Sequence, residues 1–217
     1  MNLSKRLKTI QNFIDNDVRV VDVGCDHALL DIYLTLNRNI KCVASDINEQ
    51  ALNIAKKNIK KYNLENKIDV ILSDGLDNIK LLENDVIVIS GMGTKTIINI
   101  LKNKNLKTQK LIIQSNTEIF LLRKQLKKLG YRVIDEAVCF EKGKYYPTIF
   151  YEKGVEVKNI LIGDLLYKEN GKEYVEFLIN KLSNTYSKMP FSFEKIKLKS
   201  KILFLKKSLR KYLRNSR

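Results

Sequence analysis

The chain has 217 residues, 44% of them hydrophobic, and a formal net charge of +16. That hydrophobic share supports a buried core and excludes global disorder, and the length allows one ordinary domain with an appendage or two small domains. No apolar run reaches the roughly 20 residues needed to span a bilayer, and the polar start MNLSKRLKTIQNF lacks the apolar core of a secretory signal.

The charge is unevenly spread. Residues 1–154 carry 25 basic and 18 acidic side chains, residues 155–217 carry 15 and 6, and after Glu194 there are ten Lys or Arg and no acid. A lysine-rich composition raises charge everywhere. Its concentration at the C-terminus points instead to a polyanionic partner, because neutralising phosphates releases their counterions. The three cysteines, Cys25, Cys42 and Cys139, form no CxxC pair, and His27 is the only histidine. This pattern argues against a zinc site or a disulfide framework, so no metal is expected. It fits a reducing cytosol, and a cytoplasmic monomer is expected.

Taken in chain order, residues 3–15 read as a short helix with Leu3, Leu7, Ile10 and Ile14 on one stripe. Residues 19–24 read as a buried strand entering a glycine turn, followed by a helix of about ten residues from Ala28. A second strand, 41–46, ends in Asp46. Asn48 is placed to cap the next helix, which runs to about Tyr62. Strands are expected at 67–73, 85–90 and 110–114, and helices at 94–104 and 117–129. A hairpin pairs 131–141 with 144–152 across Lys142-Gly143.

Strands alternating with helices define a doubly wound α/β sheet of Rossmann type, with the hairpin as an antiparallel edge. Beyond Gly154 only helical periodicity remains: Leu161, Leu165 and Leu166, then Val175, Leu178 and Leu182, then Ile196, Leu203, Leu209 and Leu213. Residues 155–217 are therefore expected to form an all-α, coiled-coil-like extension to a catalytic domain at 1–154, with a break at Met189-Pro190.

In open α/β sheets the ligand sits at the carboxyl ends of the strands. The first such turn here is Asp22-Val23-Gly24-Cys25-Asp26-His27. A dinucleotide would need GxGxxG, whose backbone amides cradle a pyrophosphate. One glycine among carboxylates would repel a pyrophosphate and suits a ligand with an ammonium and a sulfonium. S-adenosyl-L-methionine is such a ligand. Asp22, Gly24 and Cys25 are its expected contacts in the first turn. Asp46, with Ile47 beside it, is placed for the ribose hydroxyls. Ser73, Asp74 and Gly75 close the third strand, with Asp74 for the adenine amino group and Gly75 giving the purine access to backbone. Ser90 and Gly91 close the fourth. The competing reading is a generic α/β domain whose acids merely cap helices.

The segments LSKRL, DVGCDHALL, ASDINEQAL, SDGL, ISGMGTKTI and IIQSNTEIFLLRKQL resemble the bacterial tRNA (adenine(22)-N1)-methyltransferases over essentially all of residues 1–152. A weaker similarity runs from Ile162-Gly163-Asp164-Leu165 onward. The chain departs from that pattern at Cys25, where Ser is more usual, at Asp31 and Ser115, where Pro is common, at Asp46 for Glu, and at Thr94 for Gly.

The resemblance implies methyl transfer to N1 of an adenine in folded tRNA, held jointly by the catalytic domain and the basic extension. Alternatives are a methyltransferase for another substrate, above all another RNA, and a non-catalytic RNA-binding protein that retains the fold.

Methyl transfer is an in-line displacement at carbon, so positioning and water exclusion dominate. Adenine N1 brings its own lone pair, and the product carries a positive charge that a carboxylate can stabilise. Asp26 is the candidate for that role; it could equally bind the cofactor ammonium or cap the next helix. His27 is a second catalytic candidate, bonding the base or a phosphate, or else a local hydrogen-bonding group. Met92 and Gly93, with Gly91, are expected to line the target pocket, though the run is also a tight strand-to-helix turn. Tyr146 could stack on an extracted base or be an ordinary strand tyrosine. Asn116 could touch substrate or serve as a turn residue. Lys5 and Arg6 could clamp phosphates or be solvated, and the Lys195–Arg217 stretch is the expected tRNA-backbone contact.

Overall fold

The computed structural model describes residues 1–102, 106, 110–154, 162 and 164–215. After a short helix α1 (Lys5–Gln11), strands and helices alternate: β1 (Arg19–Val23), α2 (Leu29–Arg38), β2 (Lys41–Asp46), α3 (Glu49–Lys61), β3 (Ile68–Leu72), β4 (Asp85–Met92), α4 (Thr94–Lys102), β5 (Lys110–Ser115) and α5 (Ile119–Lys128). The hairpin β6 (Tyr131–Glu141) and β7 (Lys144–Lys153) follows. A 3-10 turn at Leu165–Tyr167 then leads to α6 (Gly171–Lys188) and α7 (Phe193–Asn215).

The seven strands form one sheet in the order β3-β2-β1-β4-β5-β7-β6. The first five are mutually parallel, and β7 joins β5 antiparallel. The expected α/β alternation and antiparallel edge are both present.

The central strands are apolar along their length because both faces are covered. Val20, Val86, Val88 and Ile112 face one cluster with Ile32, Leu52 and Ile59 of α2 and α3. Val21, Ile87, Ile89, Leu111 and Ile113 face the other, with Ile97, Leu101, Leu122 and Leu126 of α4 and α5. This is the two-residue strand period read against two helical layers. At the lower end, Arg19 grips Asp85 with two bonds of 2.7 Å, and the Leu82 amide donates to the same carboxylate at 2.7 Å. That fork sets the register of β1 against β4.

Boundaries differ where caps decide them. Asn48 caps α3 as expected, its side chain accepting from the Gln50 and Ala51 amides. The first helix is shorter than the 3–15 stripe suggests. Ser4 caps it, and Arg38 takes the carbonyls of Gln11 and Ile14 that would otherwise be orphaned past its end. Leu3, Ile10 and Ile14 are nonetheless buried. Helices α2 and α5 each start one or two residues late, because Ala28 and Glu118 adopt left-handed backbone at their N-caps. Helix α4 ends at Lys102, and residues 103–104 lie outside the described residues.

The C-terminal helices form a hairpin broken at Met189-Pro190, and α6 packs on β6 through a third cluster containing Val138, Leu166, Tyr174, Val175, Leu178 and Leu205. The expected stripe on the last helix is corrected. Ile196, Leu203 and Leu213 are exposed, whereas Ile202 and Leu205 are buried, and of the expected stripe only Leu209 packs against the cluster, so the helix is rotated relative to the seam the spacing suggested. Residues 155–161 and 163, including Leu161 and Gly163 of the expected extension, lie outside the described residues.

Candidate active site

The chain leaves β1 to one side, returns through β4 on the other, and so opens a crevice at the carboxyl ends of these neighbours. A cavity of about 600 Å³ occupies it. All ten residues expected from the sequence to contact the cofactor line this cavity, together with Asp26, His27, Arg6 and Met92.

The first turn is tightly wound. The Gly24 and Cys25 amides both donate to the Ser45 carbonyl, at 2.8 and 2.9 Å, which folds the chain back over β2. Gly24, Asp26 and Ala28 all have positive φ. At Gly24 an added Cβ would stand 2.3 Å from the end of the flexible Met92 side chain, which can move aside, so it is the left-handed backbone that calls for glycine. Asp46 is aimed by two amides: Oδ1 accepts from Asn48 at 2.9 Å and Oδ2 from Asp26 at 3.3 Å. Ser73 is tied to β2 through the Asp46 carbonyl, and its hydroxyl accepts from the Asn78 amide, which fixes the turn carrying Asp74 and Gly75.

On the other wall, β4 bulges at Gly91 (φ +77°), between the pairs Ser90–Gln114 and Met92–Ser115. The Gln114 side chain accepts from the Gly91 amide at 3.0 Å, and Asn116 Nδ2 donates to the Gly91 carbonyl at 2.7 Å. Bulges of this kind re-aim backbone next to active sites.

The cavity is acidic in a strongly basic protein. Asp22, Asp26, Asp46 and Asp74 line it against the single guanidinium of Arg6. Burial, then the neighbouring Asp31, push the Asp22 carboxyl well above the usual carboxylate range. Asp31 itself is fully buried, its oxygens meet no well-aligned donor, and burial lifts it to about 7. Asp22 and the Cys42 thiol are its neighbours, and loss of water raises both carboxyls of this pair. Burial likewise raises the Cys25 thiol, keeping it a neutral packing group. Asp26 and His27 are partly exposed at the mouth, 3.5 Å apart from Oδ1 to Nε2.

Not every expected substrate residue reaches the cavity. Gly93 and Asn116 stand behind its wall. Thr94, after Gly93, is held by Thr117, and Asn116 braces Gly91. Lys5 is drawn to the hairpin, its amide donating to Glu141 at 2.9 Å. Tyr146 lies under Arg6, with the guanidinium carbon 5.6 Å from the ring centroid.

Sequence reading missed Ser4 and Leu7 of the first helix, Leu29 and Leu30, and Thr96 and Ile100 of α4, all of which line the cavity. It also missed Gln114 as a brace. A polar residue fully buried in the apolar run KLIIQS was the available signal.

The donor set fits S-adenosylmethionine. It offers carboxylates for an ammonium and for ribose hydroxyls, glycines where a Cβ would intrude, and no arrangement of amides for a pyrophosphate. Among the described residues no cluster of His, Cys, Asp or Glu could hold a metal ion, and no helix is long and apolar enough to cross a membrane. Fold and site together define the class of Rossmann-like, S-adenosylmethionine-dependent methyltransferases.

Residues 3–149 match a family model described as a methyltransferase domain. The chain is 34% identical over 200 residues, covering 86% of it and 84% of the relative, to the tRNA (adenine(22)-N(1))-methyltransferase of Bacillus subtilis (strain 168). Two solved structures are similar throughout. M. capricolum TrmK in complex with S-adenosyl-homocysteine has a TM-score of 0.80 and 31% identity over 96% of this chain and 98% of that one. Streptococcus pneumoniae Sp1610 in complex with S-adenosyl-L-methionine has a TM-score of 0.82 and 28% identity over 96% and 100%. The chain belongs to the tRNA (adenine(22)-N(1))-methyltransferase family.

Proposed function

We propose that this protein transfers a methyl group from S-adenosylmethionine to N1 of the adenine at position 22 of tRNA. The observation that carries the reading is the contrast of charge. A carboxylate-lined cavity suited to a cationic ligand sits in a chain whose C-terminal helix α7 is studded with exposed Lys and Arg suited to a polyanion. A relative named for this reaction, 34% identical, supports it.

The donor supplies an electrophilic methyl carbon on a sulfonium. The protein's task is to orient the adenine so that the N1 lone pair forms the new N–C bond as the C–S pair withdraws to sulfur. Asp22 and Asp46 hold the donor. Asp26, at the mouth, faces the cationic product and stabilises its charge, with His27 bonding the base. Arg6, stacked on Tyr146, meets the RNA at the cavity rim, and Lys5 lies on the same helix. The bulge at Gly91 and Met92 shapes the target side, Gly93 completes its turn, and Asn116 fixes it from behind.

In this reading residues 1–154 carry the chemistry and 155–217 hold the tRNA, in a cytoplasmic monomer without a metal. The test is incubation with labelled S-adenosylmethionine and tRNA lacking the modification, then digestion and mass spectrometry. N1-methyladenosine at position 22 is expected; a different methylated nucleoside, or none with the donor bound, refutes the assignment. Asp26→Asn is expected to lower kcat with donor affinity retained, and an unchanged kcat removes Asp26 from the chemistry.

A further inference from the structure

Behind the Asn116 wall lies a second, smaller cavity of about 200 Å³, formed where the β5–α5 turn and β7 meet helix α6. On its wall Tyr145 and Phe177 pack against each other, ring centroids 5.4 Å apart and tilted by 41°, and Phe177 is 44% exposed. Lys181 lies over the Phe177 ring at 5.9 Å, and Lys201 of α7 lies over the adjoining Phe120 at 5.7 Å. Asn116, Thr117 and Glu118 supply the polar edge.

That edge is rigid. Ser115 and Thr117 both hydrogen-bond Thr94, and the Asn116 amide donates to the Met92 carbonyl at 2.9 Å. One residue thus separates this groove from the target side of the methyl-transfer cavity.

We infer that this groove seats a second, unstacked nucleobase of the RNA substrate, stacked on the exposed ring of Phe177, which Tyr145 backs, with its flanking phosphates against Lys181 and Lys201. The inference rests on the tRNA reading above and deepens it. The volume suits one planar ring system and is a third of the donor cavity. Exposed aromatic rings beneath ammonium groups match a base and its phosphate, since every base has a π-face and the phosphate sits beside it. Asn116 and Thr117 offer donors and acceptors to a base edge, and Glu118, the one acid among the lining residues, accepts from an exocyclic amine rather than meeting a phosphate. Continuity with Gly91 and Met92 through Asn116 places the seat next to the base being methylated.

The test is steady-state kinetics of the full chain with tRNA, comparing Phe177→Leu, which keeps apolar bulk without a ring, with Phe177→Tyr, which keeps the ring. Phe177→Leu is expected to raise KM for tRNA roughly tenfold, leaving kcat at saturating tRNA, melting temperature and donor affinity unchanged. Phe177→Tyr is expected to match wild type. Lys181→Ala is expected to lower the salt dependence of tRNA binding. If both Phe177 variants match wild type in KM, or if Phe177→Leu alters oligomeric state in place of KM, the base seat is overturned. Wild-type protein that forms no N1-methyladenosine overturns the proposed function instead. Direct tRNA binding by the same variants then still reads the groove.

Discussion

Asp31→Asn isolates the energetic consequence of burying two carboxyls together. Asp31 is 0% exposed and raised from 3.8 to about 7, chiefly by loss of water. A displacement of that size corresponds to about 4 kcal/mol, at about 1.36 kcal/mol per pH unit. The folded protein therefore holds a proton between pH 3.8 and 7 that the unfolded chain has released. In that window stability falls as pH rises, and below it the penalty is absent. The substitution removes the titration and places an amide donor beside Asp22, which loses its like-charged neighbour.

Urea denaturation from pH 4.5 to 8 should show the variant gaining on wild type with pH, by about 3 kcal/mol between the two ends of that range. Asp22 shifts with its neighbour and belongs to the difference, whereas titrations away from this pair are common to both proteins and cancel. A difference that stays flat across the range would refute the raised carboxyl at Asp31.

Three further outcomes follow from the geometry. Asp85→Ala strands the partly exposed Arg19 guanidinium and the Leu82 amide and should cost about 1–3 kcal/mol by denaturant titration; a loss below about 0.5 kcal/mol would deny the fork its role in register. Gly24→Ala forces a Cβ into left-handed backbone and against Met92, so it should cost roughly 1–2 kcal/mol and weaken S-adenosylmethionine binding by calorimetry. Retained affinity would mean the turn does not shape the donor site. Lys206→Ala with Lys207→Ala, both exposed on α7, should reduce the slope of log K for tRNA against log salt by about 2. An unchanged slope would remove this face from the interface.

The sequence by itself determined the sheet and the ligand-facing ends of its strands. Apolar runs closing in Gly24, Asp46, Asp74 and Gly91 are local signals, because strand period and turn chemistry act over a few residues. All ten residues expected from those ends to meet the donor line one cavity for that reason. Only the tertiary structure decided which distant groups join them. Arg6 reaches Gly91, Asn116 turns back to brace it, Lys5 goes to the hairpin, and Asp31 meets Asp22 across the α2–β1 packing. The buried face of α7 was also set there, since its apolar residues exceed what one seam can bury. Packing with Val138, Tyr174 and Leu178 takes Leu205, with Leu209 partly buried against the same cluster, and leaves Leu203 and Leu213 exposed. No local spacing carries these pairings, because they follow from how the layers stack once the chain has closed on itself.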